Sequence, residues 1–426
     1  MSRYQDQINN LLDSYQNGRL VDAENLAVSL TKEFPNHNFS WKILGAIFKA
    51  TGRFAESIKA NQTAVALNPK DAGAHSNLGV ILQEQGKLDE SEESCKQAII
   101  LKPDFAEAYY NLGITLIELG KIKEAEESYT KATTLKPDFA EAHYNLANTF
   151  IKLGRLDQAE LSYRKAIALK PNFDKAHNKL LRCLYQADKQ SLFFEELDYL
   201  LNQEEVNATI GSFTCRSELK YGIKKQNLFC NEPLKYISHI DLNTKYDFEE
   251  IFIRSAKSIL NKHKISNRNQ YLLLNGNQTS GNLFNIQTDI TGEIQKTIRK
   301  EIENYRFYFK DSNEGLIKKW PAKYNLYGWI ISMKSGGELK PHIHDKGWLS
   351  GSAYINVPPK SNTDCGNLVV SLGEEKDAIN NRINTKKTID VVTGSLVLFP
   401  SSLTHYTVPF ESKENRIVLA FDVVPK

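Results

Sequence analysis

Residues 109–137 read YYNLGITLIELGKIKEAEESYTKATTLKP, two amphipathic stretches divided by Gly120 and closed by Pro137. Both punctuation marks recur at a spacing of 34, as Gly18, Gly52, Gly86, Gly120 and Gly154 and as Pro35, Pro69, Pro103, Pro137 and Pro171. Each unit therefore predicts two helices, with the glycine ending the first and the proline lying in the turn after the second. Ala23, Ala125 and Ala159 fall at one set of equivalent positions, and Ala64, Ala98, Ala132 and Ala166 at another, where helices must approach closely. A period of this length implies a stacked array in which each unit buries its apolar face against its neighbours.

Trp41-Lys42-Ile43-Leu44-Gly45 and Tyr109-Tyr110-Asn111-Leu112-Gly113 fit a W-x2-L-G start with an aromatic in place of Trp. The chain thus resembles the tetratricopeptide repeat family over about residues 3–180, five units long. The resemblance implies a right-handed solenoid whose concave face holds a protein or peptide client. Asn77, Asn111 and Asn145 occupy the same position in successive units. A carboxamide donates and accepts hydrogen bonds at once, so such a ladder could grip an extended peptide backbone. It is similar to the asparagine ladder in the repeats of protein O-linked N-acetylglucosamine transferases. The alternative is that these asparagines face water. Ile43 and Lys179 interrupt the ladder on either side.

At 426 residues the chain predicts two or three domains, and 41% apolar with 25% charged residues is ordinary for a globular protein. A net charge of +3 gives no reason to expect a nucleic-acid or membrane partner. Five scattered cysteines without a CxxC argue for reduced thiols, and no stretch approaches a membrane span, so the expected location is cytoplasmic.

The expected organisation is a solenoid with a capping helix over 1–190, a connector over 191–235 and a second domain over 236–426. Within the connector, Phe193 to Leu201 reads as a helix and Asn207 to Pro233 as loop. Helices are expected from Asp247 to His263 and from Thr291 to Phe309, with a strand near Tyr271–Leu274. From Tyr327 onward, eight short strands are expected: Trp329–Met333, Lys340–His344, Ser352–Val357, Asn367–Ser371, Thr388–Val392, Ser395–Phe399, Tyr406–Val408 and Arg416–Asp422. The fold class is accordingly an all-α solenoid followed by an α+β domain with a jelly-roll or cupin-like double-stranded β-helix.

His342 and His344 stand at i, i+2 and so share a strand face, while His405 follows 61 residues after His344 and Arg416 comes 11 residues after His405. Three histidines from such a domain can fill one face of a coordination sphere and leave positions open. The other histidines read as surface or packing residues.

The order of histidine, distal histidine and basic residue is similar to that of 2-oxoglutarate-dependent dioxygenases. Pro341-His342-Ile343-His344, Leu349-Ser350-Gly351, Tyr354 to Pro358, Gly394 to Ser401, His405 and Arg416-Ile417 together resemble a bacterial family of 2-oxoglutarate/Fe(II) oxygenases. The resemblance covers about residues 236–426. It implies His342 and His405 as Fe(II) ligands and Arg416 as the seat of the distal carboxylate of 2-oxoglutarate, and His344, on the strand face of His342, is expected as the third ligand. Tyr354 is expected to add a hydroxyl to that seat, with Ser352 on the same strand face. Where the family carries Asp or Glu, this chain has His344, which leaves the site one negative charge short. Asp345 is the alternative ligand, and Trp348 would line the entrance or belong to the core. The function these features imply is hydroxylation of a protein or peptide client held by the repeats. The alternatives are an adaptor with an inactive barrel, or a three-His cupin dioxygenase that does not use 2-oxoglutarate.

Overall fold

The period of glycine and proline sets the first eleven helices, from α1 (Arg3–Gln16) and α2 (Leu20–Glu33) to α11 (Asp174–Gln186). The structure is a computed structural model describing residues 3–262, 272–279, 281–285, 289–360, 363–374 and 385–426. By its contacts the chain divides into two compact units, Met1–Phe193 and Phe194–Lys426.

In the first unit the five periodic glycines take left-handed backbone, with φ between 71° at Gly18 and 77° at Gly120. That conformation closes the first helix of each pair at little cost only for glycine. Gly113 serves a different purpose. A Cβ there would lie 2.6 Å from the Tyr129 ring, so α7 (Ala106–Glu118) and α8 (Ile122–Leu135) meet at close range. Successive units are stapled by rings, Tyr110 against Phe139 at 4.8 Å and Tyr144 against Phe173 at 5.0 Å. At four of these unit starts a ring also ties down the turn before it. Trp41 Nε1 donates to the Pro35 carbonyl at 2.8 Å, and His75, His143 and His177 Nε2 reach the Pro69, Pro137 and Pro171 carbonyls at 3.0, 3.1 and 2.9 Å.

The helical pattern outlasts its sequence signature. At the position 34 residues after Gly154 stands Asp188, with φ 56°, and α12 (Gln190–Asn202) follows it. Asp188 and Glu205 occupy the places where the glycine and the proline would recur, which hides this turn from a reading of punctuation.

Within residues 191–235, α12 contains the helix expected over Phe193–Leu201, and part of the loop expected over Asn207–Pro233 is instead a helix, α13 (Ala208–Tyr221). Asn207 Oδ1 accepts the Ile210 N–H at 3.0 Å as an N-cap, and Gly222 closes the far end at φ 69°. The sequence of α13 is poor in helix formers, but every residue from Ala208 to Thr214 is buried. Tertiary packing overrides propensity there. Ala208, Phe229 and Cys230 belong to the main core of the second unit.

The strands of that unit are β1 (Ser238–Asp241), β2 (Leu273–Gln278), β3 (Tyr324–His342), β4 (Leu349–Asn356), β5 (Leu368–Ser371), β6 (Lys386–Ile389), β7 (Ser395–Pro400), β8 (Thr404–Thr407) and β9 (Arg416–Pro425). They form one antiparallel sheet in the order β1-β7-β4-β9-β3-β8-β5-β6, with β2 also paired to β3. Two expected strands, Trp329–Met333 and Lys340–His344, prove to be the two halves of β3. Its first half pairs with β9 and its second with β8, and the register with β8 shifts between Leu339 and His342. Ser335-Gly336-Gly337 lie within β3, where the Gly336 N–H binds the Phe410 carbonyl at 2.7 Å. One strand that changes partners curls the sheet into a double-stranded β-helix.

Outside the curl, Leu349, Leu396, Leu419 and Phe421 pack with Ile294, Ile298 and Ile302 of α15 (Asp289–Tyr308). Inside it lie Val370, Val391, Val397, Phe399, Leu403 and Val418. The expected helix over 247–263 is a π-helical turn (Glu249–Arg254) leading into α14 (Ser255–Lys262), and His263 and Tyr271 lie outside the described residues.

Candidate metal centre

The ladder between β3 and β8 sets His342 directly opposite His405. His344 follows two residues later, where β3 gives way to the turn into β4. The His342 and His405 ring centroids are 4.2 Å apart, His344 and His405 4.7 Å, and His342 and His344 5.0 Å. One nitrogen from each of the three lies within 4.8 Å of the others, the arrangement a single ion requires. Asp345 lines the same cavity but is not part of this cluster.

The tautomers follow from the hydrogen bonds. His342 Nδ1 lies 2.8 Å from the Lys340 carbonyl and His405 Nδ1 3.3 Å from the Leu403 carbonyl. A carbonyl oxygen only accepts, so both Nδ1 atoms carry the proton and both Nε2 atoms present lone pairs. His344 Nδ1 lies 2.6 Å from Asp422 Oδ1, and its Nε2 lies 3.1 Å from His342 Nε2. Burial pushes the His342 ring down to about 4, with His344 adding to the shift. Burial likewise holds His405 well below the ordinary histidine value. His344 is the exception, because the Asp422 carboxylate outweighs burial and raises its pKa.

Asp422 is the site residue that the sequence reading missed. It continues the alternation Arg416, Val418, Ala420 along β9, and all four line one cavity of about 570 Å³ with the three histidines. Extending that alternation by one step would have found it.

Arg416 and Tyr354 are both fully buried in this cavity, with the guanidinium carbon 5.0 Å from the Tyr354 ring centroid. Burial lowers the Arg416 pKa and raises that of Tyr354, against the opposing effect of Arg416. Arg416 Nη2 donates to the Gly366 carbonyl at 2.9 Å, while its buried Nε has no hydrogen-bond partner among the described residues. Ser352 lines the cavity too, whereas Asn356, two residues beyond Tyr354 on β4, turns its amide to the Asn415 carbonyl at 2.7 Å. Trp348 is a core residue. Its Nε1 donates to the Leu316 carbonyl at 2.8 Å and its ring meets Phe229 edge-on at 5.1 Å.

In the repeats, Asn77 is exposed and Asn111 and Asn145 are half-buried. Asn111 Nδ2 donates to Ser76 Oγ at 3.1 Å and Asn145 Nδ2 to the Tyr110 hydroxyl at 3.3 Å.

Comparison with known families agrees with both halves. Residues 327–422 match the family described as "Putative 2OG-Fe(II) oxygenase". Residues 45–86, 81–120 and 115–154 match a TPR repeat family, and 140–173 match a tetratricopeptide repeat family. The chain thus carries tetratricopeptide repeats and, over its C-terminal part, a domain that matches the family described as "Putative 2OG-Fe(II) oxygenase". Similar solved structures are repeat proteins. The protein TTC0263 of Thermus thermophilus is 25% identical over 43% of this chain and 99% of its own, at a TM-score of 0.38. MamA is 24% identical over 38% and 95%, at 0.35. Pseudomonas aeruginosa pilF is 16% identical over 49% and 96%, at 0.45. No curated protein matches the chain. Among the described residues, no helix is long and apolar enough to cross a membrane.

The oxygenase family implies Fe(II) and 2-oxoglutarate, and the residues present fit both. Nε2 atoms 3.1 Å apart can share one ion with bonds of about 2.1 Å. The Arg416 guanidinium, buried against the same cavity with its Nε unpartnered among the described residues, is a forked cationic donor of the kind a carboxylate selects.

Proposed function

We propose that the C-terminal domain is an Fe(II)- and 2-oxoglutarate-dependent hydroxylase acting on a polypeptide client that the repeats hold. The observation that carries this reading is the pairing of three convergent imidazoles with a buried, incompletely bonded Arg416 in one cavity. His342, His344 and His405 bind the metal through Nε2, each oriented by the acceptor on its Nδ1. Arg416 binds the distal carboxylate of 2-oxoglutarate, with Tyr354 and Ser352 alongside. Tyr327 and Trp329, whose rings lie 6.0 Å apart, form part of the cavity wall and limit water. Fe(II), when bound, supplies the chemistry that couples decarboxylation of 2-oxoglutarate, to succinate and CO2, with placing one oxygen atom of O2 into a C–H bond. Asn77, Asn111 and Asn145 supply the client-binding ladder, through their carboxamide oxygens above all, since two of the three spend an N–H on the preceding repeat. Five free thiols and a reliance on Fe(II) favour a reducing, cytoplasmic setting.

Mass spectrometry of proteins captured from native lysate tests the reading. Incubation with Fe(II), 2-oxoglutarate and O2 should add one oxygen atom to a side chain of a captured client and release succinate in equal amount. Succinate without any oxidised client would point to a small-molecule substrate. A metal-loaded protein that never consumes 2-oxoglutarate would favour a three-His dioxygenase of another kind, the reading that His344 at the carboxylate position supports.

A further inference from the structure

We propose that Asp422 is a positioning residue that supplies, through His344, the negative charge a carboxylate ligand would otherwise bring to the metal. The inference rests on the three histidines being the ligands.

Asp422 stands on β9 opposite Ser350 of β4, and this pairing brings its side chain to the end of the cavity where His344 lies. Its Oδ1 accepts from Ser350 Oγ at 2.7 Å and meets His344 Nδ1 at 2.6 Å. Ser350 Oγ lies 2.8 Å from Ser401 Oγ, so two hydroxyls from β4 and the β7–β8 turn fix the carboxylate from behind. The turn after His344 closes over this group. The Gly347 N–H binds the His344 carbonyl at 3.0 Å, and a Cβ at Gly347 would lie 2.5 Å from Ser401 Oγ and 3.3 Å from Asp422 Oδ1. Only a residue without a side chain lets the chain pass so close.

Among the described residues the one ion-pair partner of Asp422 is His344, and Asp422 is 8% exposed. A charge held so deep is costly unless compensated. With Nδ1–H donated to Asp422, the His344 Nε2 lone pair faces the ion, and the carboxylate makes that imidazole a stronger donor. The charges of Fe(II), a 2-oxoglutarate dianion, Asp422 and Arg416 then sum to zero. A carboxylate in place of His344 would give the same total without Asp422. The charge missing from the ligand set is one bond further out.

Anaerobic Co(II) titration followed by its ligand-field absorption tests this without turnover. Asp422→Asn should weaken Co(II) binding by about 10- to 100-fold, the usual effect of removing such a partner. Asp422→Glu, which keeps the charge, should stay well within that loss. In a His344→Asp background the ligand carries its own charge, and Asp422→Asn should cost nothing or should tighten binding. Equal losses for Asn and Glu, or the same loss in both backgrounds, would overturn the proposal by showing that Asp422 acts only through packing. Unchanged affinity in Asp422→Asn would overturn it too. If the unaltered protein bound no Co(II), the three-histidine reading itself would fall, a result distinct from all of these.

Discussion

Histidines in the two halves of this protein differ in which nitrogen they spend. In the repeats, His75, His143 and His177 turn Nε2 to a proline carbonyl and act as struts for the preceding turn. In the barrel, His342, His344 and His405 spend Nδ1, on Lys340, Asp422 and Leu403, and keep Nε2 for one another. A strut needs one bond to fixed backbone. A ligand needs its far nitrogen bonded so that the near one is aimed and unprotonated. The same residue type is thus structural in one unit and available for chemistry in the other.

That contrast breaks most plainly through metal content. His342→Ala or His405→Ala should reduce bound Fe(II) from stoichiometric to background with the fold retained. His143→Ala should keep the metal and cost about 1 kcal/mol of stability, the worth of one hydrogen bond. Metal content that survives in both barrel variants would misplace the site.

The cavity divides the work between metal ligands and co-substrate seat, and Arg416→Gln sharpens that division. It should leave Fe(II) bound and weaken 2-oxoglutarate by about 100-fold, since bonds to charged groups are worth about 1.5–3 kcal/mol each. Isothermal titration of the metal-loaded variant reads this directly, and an unchanged affinity would remove Arg416 from the seat.

In the repeats, Asn77, Asn111 and Asn145 all changed to Ala should weaken client capture by about tenfold, because two of the carboxamides already donate internally. Metal content and succinate formed without client should not change. Identical client profiles from native lysate would take the ladder out of the mechanism. An effect on stability alone belongs to Gly113→Ala, whose new methyl would meet the Tyr129 ring at 2.6 Å. Urea denaturation should show a loss of about 1–3 kcal/mol from overpacking, with metal binding untouched.

Legibility followed from how each feature is written. The solenoid was readable because a left-handed turn favours glycine, and glycine recurs. Its continuation through Asp188 was not, because aspartate also adopts that backbone when its surroundings hold it there. Helix α13 was hidden because burial, not propensity, makes it helical. In the barrel, HxH, the distal histidine and Arg416 were readable from strand alternation. The alternation along β9 was enough to put Asp422 on the cavity face, but its contact with His344 depends on β9 lying beside β4 and on the turn at Gly347, and no local spacing encodes either. The union of two expected strands into β3 likewise depends on which neighbours each half meets.

The central claim is that the three Nε2 atoms and Arg416 serve one chelated complex. Anaerobic titration of the protein with Fe(II) and 2-oxoglutarate, followed by visible absorption, tests it most directly. The account predicts a metal-to-ligand charge-transfer band that appears only when both are present, saturates at one equivalent of each, and is lost in His405→Ala. Bound Fe(II) with no such band at saturating 2-oxoglutarate would contradict it.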